Sequence, residues 1–153
     1  MKSVAVLLLL CGALVAATAA ADEMMPTVDI PMYAVSLVGT PYRLGGSDPQ
    51  QGLDCSGFVN HVFRQTAGLQ LPRESQAISR VGLELAPAEL QPGDLVFFNT
   101  LDRPFSHVGI YLGDNRFVHA ASSRSGGVML SSLSDSYWSL RFEGARRVMT
   151  GRQ

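Results

Sequence analysis

The chain has 153 residues, of which 46% are hydrophobic, and its 12 Lys and Arg against 13 Asp and Glu give a formal net charge of −1. This balance gives no electrostatic reason to expect nucleic acid or a strongly anionic surface as a partner, so we expect no nucleic-acid binding. The length and hydrophobic content suit one domain with its own core.

The first 21 residues have the pattern of a secretory signal peptide. Lys2 supplies a positive start, residues 4–17 are apolar, and Ala19-Ala20-Ala21 fits an A-x-A cleavage site. The apolar run is too short to span a bilayer comfortably. We therefore predict a signal peptide over 1–21 that is cleaved after Ala21, and one domain over 22–153 with no transmembrane segment. The mature chain would be exported to the periplasm or the extracellular space.

One cysteine would remain in that domain. Cys11 lies in the apolar run, and its lipidation is the alternative to cleavage; Leu10 disfavours it, because lipoprotein signals carry a small residue at that place. Exported proteins usually have paired cysteines or none, since an exposed lone thiol oxidises. Cys55 therefore indicates a nucleophile rather than half of a disulfide.

Helix signals come first along the domain. Asp54 is a good N-cap and Gly68 a good stop for the helix that carries Cys55. Gly57 weakens this helix, which suggests that another part of the chain approaches closely there. With proline opening the first helix and Ser75 capping the third, we predict three helices, over 31–38, 55–67 and about 76–81.

Short strands fill the second half of the chain. Apolar and alternating segments bounded by turn residues predict five of them, over 94–98, 106–112, 116–120, 127–132 and 146–149. Gly113-Asp114-Asn115 is a hairpin signal between the second and the third. Helices followed by strands predict an α+β fold in which N-terminal helices pack on a C-terminal antiparallel sheet.

Two histidines lie on neighbouring strands of that predicted hairpin. His107, Gly109 and Tyr111 share one face of their strand by alternation, and His119 shares a face with Phe117 on the next. The hairpin therefore places both imidazoles on one sheet, where they can lie side by side.

The combination of one cysteine and two histidines suits nucleophilic catalysis. A helix N-terminus and a neighbouring imidazolium both lower a cysteine pKa, so we expect an activated thiolate at Cys55 with His107 as the base. His107 would then protonate the leaving amine, and His119 would hold its ring in the right tautomer. The backbone N–H of Cys55 is available to an oxyanion.

Six motifs follow one another along the chain and together cover nearly all of the predicted mature chain. They are Gly-Thr-Pro-Tyr-Arg-Leu-Gly-Gly at 39–46, Asp-Cys-Ser-Gly-Phe-Val at 54–59, Leu-Pro-Arg at 71–73, Pro-Gly-Asp-Leu-Val-Phe-Phe at 92–98, His-Val-Gly-Ile-Tyr-Leu-Gly at 107–113 and Phe-Val-His-Ala at 117–120. Each is weak by itself, but taken in this order they resemble the NlpC/P60 family of cell-wall cysteine peptidases.

The resemblance implies a papain-like fold and a Cys-His-His triad that hydrolyses the stem peptides of peptidoglycan. By motif position Cys55 is the nucleophile, His107 the base and His119 the orienting residue. The family tyrosine that helps to polarise the substrate carbonyl corresponds to Tyr42. The favoured bond is γ-D-glutamyl–diaminopimelate, and the second choice is the diaminopimelate–D-alanine cross-link. In the family, two serines also line the cleft, and here these are Ser56 and Ser106.

Several alternatives remain open at this stage. Cys55 could be an inert buried thiol, or Cys55, His107 and His119 could bind zinc, although no close pair of ligands supports a metal site. We expect no metal and no cofactor. An inactive wall-binding module, an amidase or acyltransferase, and a toxin aimed at rival cells are the competing functions, and the oligomeric state is undetermined.

Four further residues are interpreted as structural. His61 follows Cys55 by six residues, and six steps of about 100° turn it off the Cys55 face, so we predict a solvent or rim position. Arg73 is interpreted as a structural or rim cation, and Tyr137 and Trp138 as core or edge packing.

Overall fold

The structure is a computed structural model that describes residues 29–122 and 126–148. The predicted signal peptide over 1–21, its cleavage after Ala21 and the lipidation alternative at Cys11 lie outside the described residues. Within the described ranges, no helix has the length and apolar character needed to cross a membrane.

The helix around Cys55 has the predicted bounds. An Asp54 side-chain oxygen accepts the Gly57 N–H at 2.7 Å, and Gly68 ends the helix in the left-handed conformation at φ 66°. The close approach expected at Gly57 is also confirmed, because a Cβ there would lie 2.0 Å from the Gly46 carbonyl oxygen. In chain order the helices are α1 (Ile30–Ser36), α2 (Cys55–Ala67), α3 (Ser75–Ile78) and α4 (Ser136–Ser139), with a 3-10 turn over Pro87–Glu89.

Three predicted helix boundaries are wrong, and one of them is the end of the third helix, which stops at Ile78 rather than near Val81. The first helix ends at Ser36 rather than at residue 38, because the chain turns back through a bond from the Thr40 N–H to the Leu37 carbonyl. Ser75 is the first residue of α3 and not its cap, since its hydroxyl donates to the Phe105 carbonyl at 2.6 Å. The short α4 carries too little periodicity to be recognised in the sequence.

In the described ranges 29–122 and 126–148 the strands are β1 (Ser47–Asp48), β2 (Gly52–Leu53), β3 (Leu83–Leu85), β4 (Leu95–Phe98), β5 (His107–Gly113), β6 (Arg116–Ala120), β7 (Val128–Ser132) and β8 (Phe142–Arg147). Six of these strands form one antiparallel sheet in the order β3-β8-β4-β5-β6-β7, and β1 and β2 form a small hairpin. The α+β fold with helices packed on an antiparallel sheet is therefore confirmed.

The four strands β4 to β7 lie within one residue of their predicted bounds, but the remaining strands differ. The strand predicted over 146–149 begins at Phe142 and lies between β3 and β4. Its sequence contains Glu143 and Gly144, which hide the strand pattern. β1, β2 and β3 were not predicted, because two or three residues are too few to show alternation.

The sheet is buried on both faces, and alternation along its strands separates two apolar clusters. α2 covers one face, where Phe58 and Val62 join Leu95, Val108 and Ile110. The opposite face carries Val96, Phe98, Tyr111 and Phe117, with Trp138 packed against them. Cys55 packs against the first cluster, whereas His107 pairs with Phe98 across β4 and β5 and so belongs to the second face.

Candidate active site

The cysteine lies where the first turn of α2 meets the start of β5. Cys55 Sγ is 4.0 Å from the carbonyl oxygen of Ser106, and the Val108 backbone N–H faces the same sulfur closely enough to lower its pKa. These two residues flank His107 in the chain. The helix start therefore abuts the backbone on both sides of the histidine, while the thiol itself donates to the Ser106 carbonyl.

The two imidazoles lie side by side, as the hairpin predicted. His107 Nε2 and His119 Nδ1 are 2.8 Å apart, and both rings are buried. Gly109 makes room for this pair, because a Cβ there would lie 2.8 Å from the Phe117 ring and 3.2 Å from the His119 Cβ. The absence of a side chain at Gly109 therefore allows the two imidazoles to lie next to each other.

Ser131 continues the hydrogen-bond chain beyond the second histidine. Its hydroxyl lies 2.9 Å from His119 Nε2, on the strand β7 that pairs with β6. Both nitrogens of His119 are therefore bonded, one to His107 and one to Ser131. Sequence reasoning missed this serine, since only the pairing of β6 with β7 brings it to the histidine.

Trp138 encloses the histidine pair. Its ring stacks on His107 at 5.5 Å between centroids and 27° between planes, and its edge meets His119 at 4.8 Å and 74°. Phe98 and Phe117 contact the same indole. The prediction of core or edge packing for Trp138 described the contact type but missed its partner, because α4 was not recognised.

The side of the site formed by the start of α2, called the helix side below, contains an ion pair. Arg73 donates to both carboxylate oxygens of Asp54 at 2.9 Å and to the Gly46 carbonyl at 3.0 Å. Ser56 lies between them: its hydroxyl donates to the Arg73 carbonyl and accepts from the Arg73 guanidinium, both at 2.6 Å. Arg73 is therefore a structural cation, as predicted, and it is only half exposed.

The hydroxyl of Ser106 supports a loop. It accepts the backbone N–H of Thr100 at 2.9 Å and that of Leu101 at 3.2 Å. The predicted serines Ser56 and Ser106 both line the cleft, but their oxygens already bond protein groups. In the geometry shown, their first role is to hold Arg73 and the loop after β4 in place.

Burial opposes the thiolate in this site. Removal from water, and then the negative charge of Asp54, raise the pKa of Cys55 to about 11, and N–H groups of Val108, Ser56 and Cys55 offset this only in part. This direction is opposite to the lowered thiol pKa that the sequence predicted. The helix N-terminus acts in the predicted direction, but its capping carboxylate acts against it.

The histidines and Tyr42 are also held neutral by burial. Burial lowers the pKa of His107 to about 4, and burial together with the His107 charge lowers the pKa of His119 to about 3. Burial, Cys55 and Asp54 raise the pKa of Tyr42, so that its hydroxyl stays protonated and can donate. The site at neutral pH is thus a neutral thiol beside two neutral imidazoles.

His61 lies away from the cysteine but is not a solvent residue. Its Nε2 bonds the Tyr33 hydroxyl at 3.1 Å, and its Nδ1 is buried without a partner among the described residues. The predicted turn away from the Cys55 face is right, and the half-buried ring packs against Tyr33 where α1 lies over α2.

Two pockets meet at the start of β5. The first, of about 480 Å³, is lined by the Cys55 side of the site, including Tyr42, Ser56 and Ser106. The second, of about 340 Å³, is lined by His107 and His119. Leu101 lines both pockets. Within residues 29–122 and 126–148, no three His, Cys, Asp or Glu side chains are grouped to share a metal ion.

Comparison with known sequences finds close relatives. The chain is 44% identical over 129 residues to the gamma-DL-glutamyl hydrolase of Bacillus subtilis, covering 84% of this chain and 31% of that protein. It is 46% identical over 112 residues to the murein DD-endopeptidase MepS/murein LD-carboxypeptidase of Escherichia coli, covering 73% and 57%. With the probable endopeptidase NlpC of Escherichia coli it shares 49% identity over 111 residues, covering 72% and 70%.

Solved structures agree on the fold. An NlpC/P60 family protein from Bacillus cereus superposes with a TM-score of 0.72 at 30% identity, over 78% of this chain and 39% of that one. The NlpC/P60 domain of the peptidoglycan hydrolase SagA gives 0.67 at 29%, over 78% and 97%. The predicted papain-like fold is therefore confirmed. The sequence model of the NlpC/P60 family matches residues 39–147, and the chain belongs to that family.

Proposed function

We propose that this protein is a cysteine endopeptidase that hydrolyses amide bonds in the stem peptides of peptidoglycan. The observation that carries the proposal is the position of Cys55 against both chain neighbours of His107, whose ring is bonded to His119. The names of the relatives support the substrate class, since they include a murein endopeptidase and a glutamyl hydrolase. The chain spans only 31% and 57% of the length of these two proteins.

The hydrogen-bond chain defines the proton positions that the reaction needs. Because His107 Nε2 faces His119, Nδ1 is the nitrogen of His107 that remains to accept the thiol proton. His107 must then carry its own proton on Nε2 and donate it to His119 Nδ1. His119 in turn carries its proton on Nε2 and donates it to Ser131.

In the proposed first step, Cys55 sulfur attacks the substrate carbonyl as its proton moves to His107. The oxyanion forms beside the Cys55 N–H and the protonated Tyr42 hydroxyl. His107 then gives its proton to the amine nitrogen, the C–N bond breaks, and a thioester remains on Cys55. Water attacks the thioester, His107 takes a proton from the water, and that proton returns to the sulfur as the acid leaves.

For the bond itself we propose γ-D-glutamyl–diaminopimelate, with the diaminopimelate–D-alanine cross-link second. The relative named gamma-DL-glutamyl hydrolase supports the first, and the relative named murein DD-endopeptidase and LD-carboxypeptidase supports cleavage elsewhere in the peptide. We further propose export through a signal peptide over 1–21 that is cleaved after Ala21, which places the enzyme on the same side of the membrane as this substrate.

Digestion of purified sacculi tests the function. Wild-type protein should release muropeptides whose masses identify the bond cleaved, and Cys55→Ala should release none while binding sacculi as before. Iodoacetamide should abolish the activity and a chelator should spare it, because a thiol nucleophile needs no Lewis acid. Retained hydrolysis by Cys55→Ala would contradict the cysteine mechanism.

The same experiment separates the competing functions. A wall-binding module would bind sacculi without releasing products and would leave Cys55 unreactive toward a thiol probe. An amidase that cleaves at the glycan would release whole peptides with a free N-terminal alanine. An acyltransferase would give products with an added mass when a second amine is supplied.

A further inference from the structure

The proposed reaction places a positive charge on a buried ring. His107 becomes an imidazolium when it takes the proton of the Cys55 thiol, although burial lowers the pKa of His107 to about 4. An opposite charge beside the ring would offset this cost. In a Ser-His-Asp triad a carboxylate supplies that charge, but here the hydrogen-bond partner of His107 is the imidazole of His119, 2.8 Å away. This partner orients the ring and brings no negative charge to it.

The carboxylates that line the two pockets do not pair with His107 either. Asp54 is bonded to Arg73 through both of its oxygens. Glu74 and Asp135 are exposed. In the part of the chain that the structure describes, none of the ion pairs includes a histidine. Stabilisation of the imidazolium by the protein therefore has to come from a group that carries no full charge.

The indole of Trp138 lies face to face with the ring that takes the proton. Its centroid is 5.5 Å from that of His107, and the two planes are 27° apart. The His119 ring lies 4.8 Å away but is tilted by 74° to the indole plane. The face of an indole carries the negative part of its quadrupole and attracts a cation within about 6 Å, most strongly where water is excluded. The indole face is therefore placed against the imidazole that becomes charged.

Three other rings pack around the indole without stacking on it. Phe98 and Phe117 lie at 66° and 86° to its plane, with centroids at 4.9 and 5.1 Å. The Tyr137 ring lies at 84° and 4.9 Å. Among the aromatic neighbours of Trp138 in the described residues, His107 is the one that stacks on it. The steeply tilted rings hold the indole in the orientation that presents its face to the base.

We propose that Trp138 is a positioning residue whose indole face stabilises the imidazolium of His107 by a cation–π interaction. The proton balance of the reaction is unchanged, because the proton passes from the Cys55 sulfur to His107 and then to the amine nitrogen, while Trp138 neither gains nor loses one. This role rests on the proposed function and deepens it, since it adds a group that acts on the base. It replaces the interpretation of Trp138 as packing alone.

The test uses fluorinated tryptophans. Trp138 is the only tryptophan of the chain, so analogues supplied to a tryptophan-requiring host replace this one ring. Fluorine withdraws electron density from the indole face and changes its shape little. For a muropeptide that wild-type protein cleaves, kcat should fall stepwise from mono- to di- to trifluorotryptophan, by about two- to thirtyfold in total, with KM nearly constant. The 5-fluoro and 6-fluoro forms should behave alike, because the effect depends on the number of fluorines.

The pH profile separates a cation–π interaction from the exclusion of water. With each added fluorine the acid limb of kcat/KM should move to lower pH, because the imidazolium of His107 loses stabilisation. A looser ring that admitted water would move the limb to higher pH instead, and that result would overturn the proposal.

Substitutions give the matched comparison. Trp138→Phe should keep more kcat than Trp138→Leu, because a phenyl ring retains a weaker negative face. Trp138→Phe produced with the same fluorinated tryptophans is the control: it contains no tryptophan, so its rate should not respond to the analogue supplied. Circular dichroism and melting temperatures check that each protein is folded at the assay temperature.

The outcomes separate this role from the proposed function. If wild-type protein cleaves the muropeptide and neither kcat nor the acid limb responds to fluorine, the role of Trp138 fails and the endopeptidase stands. A rise in KM with constant kcat would show a substrate contact and would also overturn it. If wild-type protein cleaves nothing, the proposed function fails. Titration of the His107 ring by NMR in Cys55→Ala then tests the contact without turnover: its pKa should fall with each fluorine, and a constant pKa would overturn the role of Trp138.

Discussion

The helix side of the site contains an ion pair, whereas the sheet side, formed by His107, His119 and Trp138, contains buried neutral rings. On the helix side, Asp54 and Arg73 form an ion pair that reaches solvent, and the Asp54 charge helps to raise the pKa of the thiol. On the sheet side, His107 and His119 are buried against Trp138, and burial lowers the pKa of both. Burial is the largest cause of the pKa shift on both sides, and the Asp54 charge adds to it on the helix side, so the thiol and the base are both neutral. The proton must then move during the reaction rather than before it.

On the sheet side, the largest expected effect comes from the proposed base. His107→Ala should reduce kcat by about 10³-fold or more, because it removes the group that accepts and returns the proton. Rates of peptidoglycan peptide hydrolysis measure this, with circular dichroism as the check on folding. A smaller loss than in His119→Ala would reverse the assignment of base and orienting residue.

His119 should respond to the kind of replacement. His119→Asn or His119→Gln should retain more activity than His119→Ala, because an amide oxygen can still accept from His107 Nε2–H. The comparison of the three variants in one assay separates orientation from proton transfer. Equal losses in all three would mean that His119 does more than orient the ring.

Ser131 should have an intermediate effect. Without its hydroxyl, His119 loses the partner that keeps its proton on Nε2, and the alternative tautomer would place the His107 proton on the nitrogen needed for the thiol. We expect Ser131→Ala to lower kcat about tenfold with little change in KM, and Ser131→Thr to recover most of the loss. A change in KM alone would instead indicate a substrate contact.

The helix side can be tested through the thiol itself. Asp54→Asn removes the charge that disfavours the thiolate, so the pKa of Cys55 should fall, and alkylation by iodoacetamide should rise at lower pH than in the wild type. Asparagine is a good N-cap, so α2 should persist, although Arg73 loses its partner at a cost of about 1 kcal/mol. Asp114→Asn, which removes the same charge in the β5–β6 turn, where the side chain is 92% exposed, is the control. An unchanged alkylation profile would remove Asp54 from the explanation.

The neutral histidine pair also predicts acid lability. The folded protein resists protonating His107 and His119, whereas the unfolded chain takes up these protons near pH 6.5, so it binds more protons below that pH. The stability from this source is complete above about pH 6.5 and is lost as pH falls toward 4. Melting temperatures should therefore decline between pH 7 and 5, and His119→Asn should decline less steeply. Parallel curves would contradict the assigned shifts.

Features that depend on residues close together in the sequence could be predicted, whereas contacts between distant residues could not. The cap at Asp54, the stop at Gly68 and the alternation of β5 are local, and each was predicted correctly. Ser131 reaches His119 through the pairing of β6 with β7, and Trp138 reaches both histidines because it lies in the four-residue helix α4. No local sequence pattern predicts either contact. The direction of the thiol pKa was missed for the same reason, since burial is a property of the whole fold.

The smallest expected effect concerns His61, and it tests whether the site is confined to the two sides compared above. His61→Ala should leave kcat/KM within about twofold, since the ring lies against Tyr33, on the part of α2 that packs against α1. It should cost about 1 kcal/mol of stability through the lost Tyr33 bond, and Tyr33→Phe should cost a similar amount. The double variant should then cost little more than either single one, because both remove the same bond. If His61→Ala were as damaging to catalysis as His107→Ala, the base would lie on the helix side, and the division of the site into an ionic helix side and a neutral sheet side would be wrong.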